Sequence, residues 1–325
     1  VADFDFEKRS LLTRFWPKRL TISLGLVGRM LLGLVILVGL YIPAGMLWVH
    51  VIDDDTTLVP TDVPTGSSRA VAMAATLIER ETITHRWAAN DPFFLPGWWL
   101  DNMPEFQAGI VEALGRFSTE MMDQIGRNRG SSQADPDLSK AVDLLKSAPD
   151  IWLFDFTTSW APTTSSDAKY RSAAKALRNY NQRLSQGQAL FERRGDNLIA
   201  LLERITSDLG SSSAVLDKQI LAGREFFIDR RADNIFYGVK GRLYAYYLIL
   251  RELGVDYQQL LRDREAFNAW TQMLESLHEA SLLDPLIVMN GATDGLFAAN
   301  HLATQGFYLL RARTQLREVS EILIR

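Results

Sequence analysis

Few residues in this chain have types and spacings suited to chemistry. Glu275-Ser276-Leu277-His278 is an E-x-x-H, which turns a carboxylate and an imidazole onto one face of a helix. A di-metal bundle needs that motif twice, plus two glutamates on other helices. The one distant echo is Glu81 and His85, at i, i+4. His301 lies 23 residues beyond His278 and could add a zinc ligand, but no H-E-x-x-H and no cysteine completes a site. Glu275 and His278 are therefore weak metal candidates; the expectation is structural histidines, no metal and no cofactor.

Other chemistries lack their signatures. There is no G-x-S-x-G elbow, and the G-S-S runs at Gly66 and Gly130 sit in polar stretches. The absence of cysteine excludes disulfides, thiolate metal sites and a cysteine nucleophile. Neither G-x-x-x-x-G-K-[ST] nor G-x-G-x-x-G occurs, so nucleotide binding has no support. The carboxylate runs Asp3-Phe4-Asp5-Phe6-Glu7 and Asp53-Asp54-Asp55 read as tethers, with nothing to desolvate them and raise a pKa. No catalytic residue is assigned, and the chain is expected to be non-catalytic.

Two features point instead to binding. E-R-R-G-D-N and I-D-R-R-A-D-N are near-twin motifs holding Arg193, Arg194, Arg230 and Arg231. They read either as salt-bridge ladders on solvated faces or as an anionic-ligand or docking patch, since guanidinium forks fit carboxylates and phosphates. The second feature is the loop from Asp91 to Pro104, in which Phe93, Phe94, Trp98 and Trp99 stand among three prolines. Prolines forbid a continuous helix there. The rings could cap the open end of a helical bundle, or form a docking edge for a partner, where tryptophan is a common anchor. They could also enter a membrane leaflet, although no lysine or arginine lies between Arg86 and Arg116 to accompany them.

The elements that must position these residues begin with a membrane segment. Met30–Val49 is uncharged over 20 residues, which at 1.5 Å per residue spans roughly 30 Å of hydrocarbon. Six basic residues precede it against three acids, and Asp53, Asp54, Asp55 and Asp62 follow before Arg69. The positive-inside rule then predicts a cytoplasmic N-terminus, an uncleaved signal anchor in the bacterial inner membrane, and a periplasmic remainder. The expected organisation is a basic leader at 1–29, the anchor at 30–52, a tether at 53–67 and an α-helical domain at 68–325. Net charge is −4 overall, and 29 basic against 36 acidic residues remain beyond the leader. That balance argues against nucleic acid and against attraction to an anionic leaflet.

Beyond the tether the apolar pattern is helical nearly throughout, so the fold class is all-α. Helices are predicted over Ser68–Ile83, Glu105–Arg127 and a short segment near Leu138, with a second aromatic loop at Ala148–Ser166 that includes a brief strand at Ile151–Phe156. Leu177, Leu184, Phe191, Leu198 and Ile205 recur every seven residues, predicting one long helix from Asp167 to Leu209. Gly210-Ser211-Ser212-Ser213 reads as a stop and restart, and a returning helix through Leu253, with a break near Arg231–Asn234, would make a long antiparallel hairpin. On that hairpin the twin arginine motifs would lie at similar heights. Helices at Tyr257–Leu261, Arg264–Leu282 and Asp294–Arg325 complete the reading, the last offering Ala298, Ala299, Ala303 and Gly306 for close helix approach.

Trp99–Val111, W-L-D-N-M-P-E-F-Q-A-G-I-V, and Ala134–Ala141, A-D-P-D-L-S-K-A, resemble signature segments of an uncharacterised proteobacterial single-pass membrane protein family, domain of unknown function 2333. The resemblance implies one N-terminal span and a helical remainder, and brings no catalytic residues. The expected function is a membrane-anchored accessory or scaffold protein that binds another envelope or membrane protein. The alternatives are a helical module for a small anionic or aromatic ligand and, third, a metal-dependent or hydrolytic enzyme.

Overall fold

A computed structural model describes residues 24–129, 135–154, 160–222, 229–291 and 299–325. The chain divides into two units, Val1–Ala44 and Gly45–Arg325. Helix α1 (Leu24–Val49) provides the described part of the first unit, and its last turn opens the second. Among the described residues α1 is the one helix long and apolar enough to cross a membrane, and its apolar stretch is unburied.

The second unit is all-α. Its helices are α2 (Arg69–Glu79), α3 (Asn102–Arg129), α4 (Pro136–Leu145), α5 (Ser166–Ser185), α6 (Gly195–Ala222), α7 (Arg230–Asp256), α8 (Gln258–Asp263), α9 (Phe267–Ser281) and α10 (His301–Ile324). No strand forms among the described residues, and only isolated bridges join Phe154 to Pro162 and Asn290 to Asn300. The predicted strand thus reduces to one bridge, with residues 155–159 outside the description.

Helix α7 is the axis of the unit. From Phe236 to Leu253 it is buried nearly all round, as a helix surrounded by others must be. Helices α2, α3, α6, α9 and α10 all pack on it. The tightest crossing is with α3, and two glycines make it possible. A Cβ at Gly241 would fall 2.1 Å from the Phe106 carbonyl oxygen, and one at Gly109 would fall 2.2 Å from that of Gly238. Helix α10 buries Leu302, Leu309, Leu316 and Leu323, a seven-residue seam, against α6 and α9. The end of α7 is tied as well. The Asp256 carboxylate accepts from Ser68 Oγ at 2.7 Å, Arg69 N at 3.0 Å and Ala70 N at 3.1 Å, so the end of α7 caps the start of α2.

The long hairpin is corrected in three places. The helix predicted over 167–209 is two helices, because Gly187 takes the left-handed conformation (φ 68°) that closes α5. The seven-residue repeat survives the break, since Phe191 packs on Tyr257 from the connecting segment with ring centroids 5.9 Å apart. Nor does the chain turn at Gly210–Ser213, where α6 runs straight through. Gly210 serves packing there: a Cβ would lie 2.9 Å from Nη2 of Arg313 on α10. Ser211 and Ser212 donate back to the carbonyls of Ser207 and Asp208, which keeps serine inside a helix. The return begins at Arg230 behind an Asp229 N-cap; the intervening 223–228 lie outside the description.

Elsewhere, α2 gives way at Arg80 to a π-helical turn reaching Thr84. Ala298 lies outside the described residues, and a Cβ at Gly306 would meet nothing within 4 Å, so the expected close approach does not occur there.

Gly241→Ala should destabilise the protein by about 1–3 kcal/mol or more, as overpacking does, because backbone rather than a flexible side chain occupies the space. Thermal melts of the full chain in mild detergent would show the loss, and Gly306→Ala should match the parent.

Candidate functional site

The segment after α1, expected to be a loose tether, is bound along its length. We call residues 51–58 the strap. Val51 N lies 3.4 Å from Met103 Sδ. Asp53 pairs with Arg80 at 3.2 Å and with His85 Nε2 at 3.0 Å, while Arg80 also donates to the Asp53 carbonyl at 2.8 Å. Asp54 pairs at 2.8 Å with Lys240, whose side chain has no exposed surface, and Asp284 approaches the same ammonium at 3.5 Å. The Asp55 side chain turns back on Thr57 N at 2.8 Å, leaving its carbonyl to accept from Tyr244 Oη at 2.7 Å. Thr56 Oγ1 meets His278 Nε2 at 3.2 Å, and Arg251 donates to the carbonyls of Thr56 and Leu58.

Two helices make this possible. The π-helical turn points both Arg80 and Glu81 inward, where they pair at 2.8 Å and Gln107 donates to Glu81 Oε2 at 3.1 Å. On α7, Lys240, Tyr244 and Arg251 stand at i, i+4 and i+11, within about 40° on one face. The strap follows α7 in order, Asp54 meeting Lys240, Asp55 meeting Tyr244, and Thr56 and Leu58 meeting Arg251, with a turn at Thr56–Thr57 closed by Leu58 N on the Asp55 carbonyl at 3.4 Å. Burial opposes ionisation of Asp53, but Arg80 and His85 hold its carboxyl below the ordinary aspartate range. The expectation that nothing desolvates these carboxylates is therefore corrected.

The aromatic loop is ordered, yet it does not cap the bundle. Phe93 is 68% exposed, and Phe94, Trp98 and Trp99 are 49–53% exposed. Its polar underside is what is buried. Asp91 pairs with Arg86 at 2.7 Å, and its other oxygen occupies the space a Cβ at Gly97 would take. Gln107 accepts from Ala88 N at 3.1 Å and donates to the Arg86 carbonyl at 3.0 Å. The rings make edge-to-face pairs, Trp98 with Trp99 at 5.0 Å and Phe93 with Phe94 at 5.4 Å. Phe94 reaches Trp152 at 5.8 Å, joining the two aromatic loops into one surface.

Between these loops and the π-helical turn lies a groove of about 560 Å³, lined by His85, Arg86, Asp91, Trp152, Asp167 and Arg171 among others. Burial raises the Asp91 pKa despite Arg86. Burial also opposes ionisation of Asp167, but hydrogen bonds from Ser165, Asn90 and Arg171 lower its pKa below the ordinary value. Asp91 pairs with Arg86 and Asp167 with Arg171 at 2.7 Å each, so the groove's polar edges are ion pairs beside the Trp152 indole.

The twin arginine motifs do not converge. Arg193 donates to the Ser67 carbonyl at 2.9 Å, and Arg194 forms an exposed pair with Asp196 at 3.0 Å. Exposed Arg230 and Arg231 share a shallow groove with Val215, 21 residues beyond Arg194 along α6 and so roughly 30 Å from it. With no turn at Ser212, the basis for equal heights is gone. Glu275 is exposed, His278 is spent on Thr56, and no group of three metal-ligating side chains gathers among the described residues. Sequence reading missed the strap's receptors. The available signal was Lys240 itself, a lysine between Val239 and the apolar run Leu243–Leu250.

The chain belongs to the bacterial family described as "uncharacterized protein conserved in bacteria" (DUF2333), which it matches over residues 18–224 and 229–325. No curated protein and no solved structure matches it.

Asp54→Ala should cost about 3 kcal/mol, the low end for a broken buried pair because Asp284 remains in reach. Lys240→Met removes the charge and keeps most of the volume, and should cost less. Chemical denaturation of the two variants gives the order. A second prediction concerns Asp233, beside Asp101 where α7 and α3 begin. Burial first, then the Asp101 carboxylate, raises its pKa to about 6. The native state therefore binds this proton more tightly than the unfolded chain, and the stability it contributes is full below about pH 4 and lost as pH rises through about 6. Asp233→Asn should leave the melting temperature unchanged near pH 4 and raise it above pH 6.

Proposed function

We propose that this member of the family is a non-catalytic scaffold of the bacterial envelope, anchored in the inner membrane by α1, with a cytoplasmic leader and a periplasmic helical unit. Its partner is another envelope or membrane protein. The observation that carries this reading is the strap. An anchor that served only to localise a domain would work with a flexible linker. Here Arg80, Lys240, Tyr244, Arg251 and His278 are all spent on residues 53–58. Binding residues 53–58 to the unit takes up the slack a free linker would leave after α1, which favours a role close to the bilayer, as contact with a partner embedded in the same membrane requires.

The groove beside His85, Arg86 and Trp152 supports a second reading, a module for a small anionic or aromatic ligand, because an indole and the half-exposed guanidinium groups of Arg86 and Arg171, each already paired with an aspartate, line one concave surface.

Crosslinking in intact cells, followed by mild-detergent purification and mass spectrometry, tests the scaffold. The expected result is one stoichiometric membrane partner, diminished in a strap-loosened variant (Asp53→Ala with Asp54→Ala) that remains in the membrane. Recovery of the protein alone or only with itself would remove the scaffold reading and turn attention to ligands of the groove.

A further inference from the structure

The exposed apolar side chains of the second unit include two groups beside the point where the chain leaves α1. In the first, the aromatic loop sits directly on the last turn of α1: a Cβ at Gly45 would fall 2.3 Å from Pro96 Cγ, and Val51 N contacts Met103 just beyond the loop. In that same turn Leu47 and Trp48 are 85% and 87% exposed. The second is the segment after α9, where Leu286 is 100% and Ile287 58% exposed. Asp284, two residues earlier, meets the Lys240 ammonium that also holds Asp54 of the strap. All of these residues belong to the second unit, so their arrangement is independent of the first.

We infer that the aromatic loop and the Leu286–Ile287 segment form a docking face for the lipid bilayer, entering the interfacial layer on the side where α1 ends. The inference rests on the reading that α1 crosses the membrane. If it does, Trp48 stands at the bilayer interface, and a loop packed on Gly45 stands at the same level. The side chains suit that level. Tryptophan and phenylalanine partition to the boundary between headgroups and acyl chains, and Trp98, Trp99, Phe93 and Phe94 present their rings outward together. Polar groups of the loop are paired instead: Asp91 is buried on Arg86, and the Trp99 indole donates at the surface to the Phe93 carbonyl at 3.1 Å. With no lysine or arginine between Arg86 and Arg116, the attachment is apolar, so it should not depend on anionic lipid or on salt.

The native chain has no cysteine, so single-cysteine variants can be labelled without background. Phe93→Cys, Trp99→Cys, Leu286→Cys and Ile287→Cys would each carry an environment-sensitive fluorophore on the full chain, reconstituted in phosphatidylcholine vesicles with and without phosphatidylglycerol. Leu37→Cys, in the middle of α1, reports whether the span is inserted. Arg264→Cys, in a turn of four consecutive charged residues, reports an aqueous site. Nitroxides placed shallow or deep on the acyl chains quench by depth, and iodide quenches from water. The expected result is quenching of the four loop labels several-fold stronger by shallow than by deep nitroxide, unchanged by anionic lipid or raised salt. If Leu37 is deep while either loop is quenched by iodide as strongly as Arg264, the docking face is wrong and the anchor stands. Loop labels shielded from both quenchers would mean that a second copy of the chain covers them, which also overturns the inference. A Leu37 label that is not deep would remove the anchor reading itself.

Discussion

A lysine ammonium with no exposed surface, in the middle of the helix on which most others of the unit pack, is the constraint around which the rest is arranged. Burial of an unpaired charge is too unfavourable to persist, so Lys240 must be given an acid. That acid comes from the strap, 186 residues earlier in the chain, and bringing it there lays residues 53–58 along α7. The same course delivers backbone carbonyls to Tyr244 and Arg251 and a threonine hydroxyl to His278. It also delivers Asp53 to Arg80, so that the π-helical turn, with its otherwise uncomfortable pair of inward charges, is satisfied from both sides. One buried cation thereby couples the exit of the apolar helix to the centre of the helical unit.

Close packing and polar satisfaction meet on α7. Its face toward α3 is opened by Gly238 and Gly241, and its face toward the strap carries the cation, phenol and guanidinium of Lys240, Tyr244 and Arg251. Its last residue caps α2, which leads into the π-helical turn holding Arg80. The aromatic surface is a further result of this arrangement. Gln107 on α3 and Asp91 anchor the loop's backbone from beneath, so the rings are left outside.

Much of this could be read in the sequence where a local rule governs. Apolar periodicity identified the all-α class, most of the helices, and the apolar span with its change of charge sign. Where a residue's role depends on a distant partner, local rules misled. Gly210 resembles a helix stop, and only Arg313 on α10 reveals it as a place for a crossing side chain. Gly187 lies inside the seven-residue repeat that predicted one long helix, and it is the true terminator of α5. Asp53-Asp54-Asp55 has the composition of a solvated linker; its receptors are Arg80 and His85 at the π-helical turn and Lys240 and Tyr244 on α7, and no window of sequence contains both sides. The aromatic loop was correctly marked by its composition, but whether its rings face inward or outward depends on Gln107 and Asp91, whose roles appear only in the fold.

The strap also ties covalent continuity to conformational integrity. Residues 51–58 are synthesised well before α7 and α9, so their carboxylates and carbonyls remain hydrated until the C-terminal half of the chain arrives, and a contact separation this long makes assembly slow. The dependence runs in the other direction once the protein is folded. A protease that cut just after Asp55 would separate the helical unit from α1 and, by the same cleavage, sever Asp53 and Asp54 from the chain that carries Arg80 and Lys240. The liberated fragment would carry an under-compensated charge at its centre. Separation from α1 and loss of these ion pairs are one event in this architecture, so the freed unit is less stable than the intact chain.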